Sequence, residues 1–120
     1  MKPLSDTQRL RLFEMAAGKI LILNPDNFDI VSVSSAYLQA TKTVEQDIIG
    51  KNLFDVFPDA PEDPIADGTH NLSASLNRVK SLKIPDVMGV QRYPIPLPNG
   101  RFEERFWSSV NSPVLDDAGE

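Results

Sequence analysis

Few side chains in this 120-residue sequence could act as nucleophiles, catalytic bases or metal ligands. It contains one histidine, His70, and no cysteine, so disulfides, thiolate metal sites and thiol nucleophiles are excluded. The serine pairs Ser34-Ser35 and Ser108-Ser109 form no recognised catalytic motif with His70. Glu103 and Glu104 are neighbours on a predicted strand, so their carboxylates face opposite sides and cannot act together. The sequence therefore predicts a protein that is not an enzyme.

Charge and hydropathy limit the partners that the chain can bind. Twelve Lys and Arg against seventeen Asp and Glu give a net charge of -5, which opposes binding to nucleic acid or to anionic lipid. The longest apolar run, 20–23, is too short to span a bilayer, and the N-terminus has no signal-peptide pattern. We expect a cytoplasmic chain with no nucleic-acid partner and no membrane contact.

The N-terminal part of the sequence predicts a helix followed by a β-hairpin. Ser5 and Gln8 have the spacing of a capping box, which opens a predicted helix over 6–17. The apolar segments 19–23 and 28–34 flank an Asn-Pro-Asp-Asn sequence, whose residue types favour a turn. The two segments are therefore predicted to pair.

Two short helices are predicted next. The pair Ser34-Ser35 can cap a helix that ends at Thr41. Thr43 and Gln46 have the spacing of a second capping box, which predicts a helix ending at Gly50.

The C-terminal half predicts a loop, one helix and a second hairpin. Three prolines and several acidic residues indicate a loop over 58–68, and apolar residues at helical spacing then predict a helix that ends before Pro85. The segments 87–95 and 102–114 flank Asn99-Gly100, a pair that is typical of hairpin turns. The order of helix, two strands, helices and two strands predicts an α+β fold, with an antiparallel sheet and helices on one face.

Three segments, in their order and spacing, resemble the PAS family of sensory domains. They read LILNPDNFDIVSVSSAYLQAT, TVEQDIIGKNLFDVFPD and NGRFEERFWSSVNSPVLDDAGE. The resemblance implies a PAS domain over 19–120. The N-terminal helix segment 1–18 is expected to serve docking or dimerisation, because a short helix is marginal alone and its apolar side chains need cover. The resemblance also implies a signal-input role in a multidomain bacterial regulator such as a sensor histidine kinase, with a covalently linked effector domain and a homodimeric state.

The PAS resemblance also implies a five-stranded sheet of order 2-1-5-4-3. This sequence offers only four strand candidates, so we expect the domain to be truncated before its fifth strand. The expected sheet closes by direct pairing of the first and fourth strands, by a segment from a neighbouring chain, or by further residues of the same protein.

The cofactors of PAS subfamilies are largely ruled out by residue type. Flavin-binding LOV domains resemble the pattern G-x-N-C-R-F-L-Q, and Leu53 stands where their reactive cysteine would be. Haem-binding relatives use a histidine near the helix before the last strands, so a haem sensor that uses His70 is the alternative. We favour a solvated His70 in the first helical turn and expect no cofactor.

A small-molecule site is expected between the sheet and the helices, and the resemblance places Trp107, Ser109 and Asn111 on its inner strand face. Pairing across the Asn99-Gly100 turn predicts that Trp107 pairs with Arg92 and Ser109 with Val90, while a slip by one residue would turn Tyr93 inward. Such polar residues favour a polar or anionic ligand; if they satisfy one another instead, the domain is a ligand-free protein-interaction module. The predicted ligand-binding residues are Leu21, Leu23, Tyr37, Phe54, Phe57, Leu72, Leu76, Met88, Val90, Arg92, Trp107, Ser109 and Asn111.

Overall fold

The computed structural model describes residues 3–15, 18–60 and 67–115, and the chain divides into two compact units. Unit 1, Met1–Val56, contains α1 (Asp6–Glu14), β1 (Leu21–Leu23), β2 (Ile30–Val33), α2 (Ser35–Thr41), α3 (Glu45–Ile48) and α4 (Leu53–Val56). Unit 2, Phe57–Glu120, contains α5 (Gly68–Leu82), β3 (Asp86–Arg92), β4 (Ile95–Pro96), β5 (Phe102–Glu103) and β6 (Phe106–Asn111).

The strands pair as antiparallel ladders: β1 with β2, β3 with β6, and β4 with β5. Helices and antiparallel strands occur as the sequence predicts, so the α+β class is confirmed. Two of the predicted strand pairs are observed. The first predicted strand pairs with the second, as β1 with β2, and the third pairs with the fourth, as β3 with β6 and β4 with β5. No helix in the described part of the chain has the length and apolar character needed to cross a membrane.

The predicted capping box at the start of α1 is present. The backbone N–H of Gln8 donates to the Ser5 hydroxyl at 3.1 Å, and the backbone N–H of Ser5 donates to Oε1 of Gln8 at 2.9 Å. Two N–H groups that the first helical turn leaves unpaired are thereby satisfied. The predicted end of this helix at residue 17 lies outside the described residues.

A single buried hydroxyl joins the hairpin of unit 1 to α2. Ser34 has no solvent exposure, and its Oγ donates to the carbonyl of Gly18 at 2.8 Å and accepts from the N–H of Ile20 at 2.9 Å. The same oxygen accepts from the N–H of Tyr37 at 3.3 Å and so caps α2, as the sequence predicts. The side chain therefore fixes the start of β1 against the start of α2.

The second predicted capping box is wrong. The N-cap of α3 is Val44, which makes no side-chain cap bond. The Thr43 hydroxyl lies 2.8 Å from the hydroxyl of Thr41, which is buried and also donates to the carbonyl of Tyr37. Satisfying a buried hydroxyl outweighs capping a one-turn helix here, because an unpaired buried polar group costs about 1 to 3 kcal/mol.

In unit 2, each of the two long predicted strands divides into two shorter ones. The segment 87–95 becomes β3 and β4, and the segment 102–114 becomes β5 and β6. The predicted turn at Asn99-Gly100 is present, with Gly100 at a φ of +82°. The turn has three residues rather than two, because Leu97 and Arg101 are joined by a backbone hydrogen bond of 2.8 Å across it.

The three-residue turn changes the register of the ladder, so the predicted pairing is wrong. An extra loop residue shifts every pair by one position. Trp107 therefore pairs with Gln91, and Arg92 pairs with Phe106. The same shift pairs Val90 with the exposed Ser108 and leaves Val90 71% exposed, so its predicted inward position is also wrong. Tyr93 is buried, which is the alternative that a slip by one residue predicted.

The first residue of α5 must be small because it lies against the ring of Tyr93. A Cβ added at Gly68 would be 2.7 Å from Cδ2 and 2.8 Å from Cγ of Tyr93. We expect Gly68→Ala to lower the free energy of unfolding by about 1 to 3 kcal/mol, as overpacking does, in urea denaturation. Gly89→Ala is the control, since a Cβ at Gly89 meets nothing within 4 Å.

The same measurement in a Tyr93→Leu background identifies the cause. Without the ring, Gly68→Ala should cost much less than it does in the wild type. An equal cost in both backgrounds would mean that the clash is not the reason for glycine at this position.

Candidate functional site

Four of the predicted ligand-binding residues lie in unit 1. Leu21, Leu23 and Tyr37 pack against the buried cluster of this unit, which consists of Ile30, Val33 and Ile48. Burial raises the pKa of Tyr37 to about 12, so its phenol keeps its proton at neutral pH. The ring of Phe54 meets that of Phe28 edge to face, with centroids 6.4 Å apart. All four contribute to packing, and a ligand-binding role for them stays a prediction.

The other predicted residues lie in unit 2, around the β3–β6 ladder. On β6, Trp107, Ser109 and Asn111 are half-buried while the residues between them are exposed, so the three share one face as predicted. On β3, Met88 is buried and Gln91 half-buried on the same side of the ladder. We call the face that carries these five residues the inner face.

Helix α5 makes a row of hydrogen bonds to the strands of this ladder. Asn71, Ser75 and Arg78 are spaced to lie along one side of the helix. The amide of Asn71 donates to Oε1 of Gln91 at 2.8 Å. The guanidinium of Arg78 donates to both carboxylate oxygens of Asp86, at 3.2 Å and 3.0 Å. We call this set the polar seam; it comprises Asn71, Ser75, Arg78, Asp86, Gln91 and Asn111.

Ser75 is the central residue of the polar seam. It has no solvent exposure, and its hydroxyl donates to Oδ2 of Asp86 at 2.5 Å. The same oxygen accepts from Nδ2 of Asn111 at 2.8 Å, and that Nδ2 also lies 3.3 Å from Sδ of Met88. One hydroxyl therefore bonds to both strands of the ladder, at the end where Asp86 pairs with Asn111.

The predicted polar site residues bind other groups of this chain. The indole N–H of Trp107 donates to the carbonyl of Tyr93 at 3.1 Å, and the Tyr93 hydroxyl donates to the carbonyl of Phe57 at 2.5 Å. The guanidinium of Arg92 donates to Glu104 at 2.9 Å. Arg92 is therefore engaged by a carboxylate, and the predicted inward Arg92 is replaced by Gln91.

The remaining predicted residues of unit 2 lie on α5 and near it. Leu72 and Leu76 are half-buried, and Phe57 is buried with 4% exposure. His70 lies in the first turn of α5 and is exposed, which does not favour the alternative of an axial haem ligand. Among the described residues, no three His, Cys, Asp or Glu side chains are grouped as metal ligands.

Solved structures of light receptors resemble this chain. An RNA-binding Light-Oxygen-Voltage receptor matches with a TM-score of 0.64 and 17% identity over 100% of this chain and 33% of its own. The fungal blue-light photoreceptor Vivid, in its photo-excited state, matches with a TM-score of 0.51 and 19% identity over 78% of this chain and 63% of its own. A variant of Vivid gives 0.52 and 18% over 78% and 66%. The chain has a PAS-type fold.

At these identities the likeness concerns the fold of the PAS-type domain. The chain spans about a third of the first receptor and less than two thirds of Vivid. No protein-family model matches the sequence, and no curated protein matches it.

Several residues of the PAS-type domain that carry the polar seam escaped the sequence prediction. Gln91 was missed because the register depended on the length of one turn. Asn71, Ser75 and Arg78 had a detectable signal, since these polar residues at positions i, i+4 and i+7 form a stripe along the helix, directly beside the predicted apolar stripe. Asp86 had none, because a carboxylate at a strand start usually faces solvent.

The polar seam makes the stability of the PAS-type domain depend on pH. The hydrogen bond from Arg78, and after it the one from Ser75, holds the pKa of Asp86 below its ordinary value. A carboxyl with a lowered folded-state pKa stabilises the fold above its unfolded pKa, and this stabilisation is lost as the pH falls through the folded pKa.

We therefore expect Asp86→Asn to destabilise the protein at pH 7, with a difference from the wild type that shrinks as the pH is lowered below about 5. Denaturant unfolding at a series of pH values measures it. Arg78→Gln should reduce the same pH-dependent difference, because it removes the largest cause of the shift. A difference that stays constant from pH 7 to pH 3 would show that Asp86 contributes no charge-dependent stability.

Proposed function

We propose that this PAS-type domain is a sensory input module that binds a small molecule on the inner face of unit 2. The observation that carries the proposal is the composition of this face on β6, where an indole, a hydroxyl and an amide follow at every second residue. Within the described part of the chain, the Ser109 hydroxyl has no hydrogen-bond partner and is half-buried. A half-buried hydroxyl without a protein partner is available to a ligand.

The surroundings of Ser109 also suit a small molecule. Ligand sites are mostly apolar and aromatic, with a few polar groups that fix the orientation. Trp107 supplies an aromatic surface two residues before Ser109, and Leu72 and Leu76 supply half-buried apolar side chains on α5, which packs on the same strands. These groups provide contact area, and Ser109 and Asn111 provide orientation.

The proposed module acts within a larger protein. We infer that it passes its signal to a covalently linked effector domain, as in bacterial regulators such as sensor histidine kinases, and the PAS-type fold shared with light receptors supports the sensory part of this role. Light sensing through a cysteinyl adduct is excluded, since the sequence has no cysteine. We propose a cytoplasmic location, no catalytic activity and, from the net charge of -5, no nucleic-acid partner.

The ligand-binding role is tested by thermal shift with a metabolite library, together with native mass spectrometry for co-purified molecules. A ligand at about 100 times its dissociation constant should stabilise the native state by about 2.7 kcal/mol and raise the melting temperature by several degrees. Ser109→Val should abolish this shift. Ser108→Val is the matched control, since Ser108 lies exposed on the opposite face. Equal shifts in both variants would place binding elsewhere.

Self-association is a second candidate function, favoured by the opposite face of the same ladder. Val87, Val90, Phe106 and Val110 are 73%, 71%, 61% and 62% exposed there. A cluster of exposed large apolar side chains marks an interaction surface, and a symmetric dimer is the commonest assembly. We propose that this outer face joins two copies of the chain.

We expect Val110→Asp to weaken the dimer by at least tenfold in dissociation constant, because it places a charge within an apolar interface. Sedimentation equilibrium measures the constant. Val31→Asp is the control, because Val31 is 55% exposed on β2 in unit 1. A wild-type chain that stays monomeric at high micromolar concentration, or equal weakening by both variants, would contradict this interface.

A further inference from the structure

The polar seam fixes which way one amide of the inner face points. Asp86 binds Arg78 through both of its oxygens and is ionised, so it can only accept hydrogen bonds. The Ser75 hydroxyl, 2.5 Å away, must therefore give its single proton to Asp86. That donation leaves the Ser75 oxygen with acceptor capacity alone.

The remaining acceptor of Ser75 decides the orientation of Asn111. Oxygen and nitrogen of an asparagine amide are distinguished by their hydrogen-bond partners. Because Ser75 can only accept at this position, the atom of Asn111 that lies 2.8 Å from it must be the donor Nδ2. The second proton of this nitrogen has the sulfur of Met88 at 3.3 Å. Both donors of the amide are thereby used inside the protein.

The carbonyl oxygen of Asn111 is the one polar atom of this side chain that these contacts leave unpaired. Within the described part of the chain, this Oδ1 accepts no hydrogen bond. It belongs to the residue two positions after Ser109 on the same strand face, about 7 Å further along the strand. The inner face thus presents an acceptor of fixed orientation beside a hydroxyl that can rotate.

No cation accompanies this acceptor on the inner face. The five inner-face residues are uncharged, and the neighbouring guanidinium groups of Arg78 and Arg92 are bound by Asp86 and Glu104. A carboxylate or phosphate group placed against Asn111 would bring two acceptors together with no proton between them. The anion would lose its hydration without gaining a hydrogen bond from Asn111, whereas an N–H group would donate to the Asn111 carbonyl oxygen.

We infer that the inner face selects a ligand that presents an N–H donor, neutral or cationic, and rejects carboxylates and phosphates. The inference rests on the ligand-binding role proposed above and specifies the ligand class. Ser75, Asp86 and Arg78 act as positioning residues, since they set the amide without touching the ligand. Trp107 supplies the flat surface on which a planar donor group stacks.

Benzamidine and benzoate test this selectivity. They share one ring and nearly one shape, but an amidinium only donates and a carboxylate only accepts hydrogen bonds. Trp107 is the one tryptophan of the chain, so its fluorescence reports binding at this face. Titrations at about 0.5 M salt screen the net charge of -5. We expect benzamidine to bind at least about tenfold tighter than benzoate.

The Asp86→Ala variant tests the cause of the selectivity. It removes the acceptor of the Ser75 proton, so the Ser75 hydroxyl can donate to Asn111 as well as accept from it. The Asn111 amide then loses its fixed orientation, so the preference for benzamidine over benzoate should fall about tenfold. Glu104→Ala is the matched control: it also removes one carboxylate bound to an arginine, and it should leave the preference unchanged.

A second measurement does not depend on ligands or on the folding of Asp86→Ala. In NMR spectra of the free wild-type protein, the side-chain N–H protons of Asn111 should show contacts to the methyl group of Met88, which Ser75→Ala should weaken or abolish. Their absence in the wild type would overturn the fixed amide. Tighter binding of benzoate, or an unchanged preference in Asp86→Ala, overturns the inference and leaves ligand binding standing. A fluorescence response to neither compound overturns both.

Discussion

The buried hydroxyl of Ser75 is the contact on which the arrangement of unit 2 depends. A hydroxyl with no solvent exposure must be paired on both sides, because each unsatisfied polar group costs about 1 to 3 kcal/mol. Its two partners, Asp86 and Asn111, come from the two strands of one ladder and face each other in the register. The hydroxyl therefore fixes α5 to both strands, and Arg78 can neutralise Asp86 only when α5 is in place.

Unit 1 uses the same physical principle with a different serine. Ser34 is also fully buried, but all its partners are backbone groups, at Gly18, Ile20 and Tyr37. Backbone groups do not titrate, so this junction is insensitive to pH, whereas the junction in unit 2 contains an ion pair. Among the described residues, the contacts of Ser75 thus include a titratable side chain, Asp86, whereas the contacts of Ser34 include none.

Local patterns predicted the elements of this protein well and its pairing poorly. The Ser5 capping box, both hairpins and α5 were predictable because a few adjacent residues determine each of them. The register was not, since it depends on whether the turn at Asn99-Gly100 contains two residues or three. Both turns suit the same sequence, and the difference moves Arg92 off the inner face and brings Gln91 onto it. The charge of the candidate site was therefore the property that the sequence predicted least well.

The corrected register also reverses the usual polarity of a half-buried ladder. Its exposed face carries Val87, Val90, Phe106 and Val110, while its inner face carries two amides, a hydroxyl, one indole and the thioether of Met88. Hydrophobic burial alone would favour the opposite arrangement, at about 25 cal/mol for each Å² of apolar surface covered. The observed arrangement is stable only because the polar seam satisfies the hydrogen bonds of the polar groups on the inner face. Covering the outer face would add the free energy of burying its exposed apolar side chains. A ligand on one face and a second copy on the other would then act on the same two strands, so binding on either face can alter binding on the other.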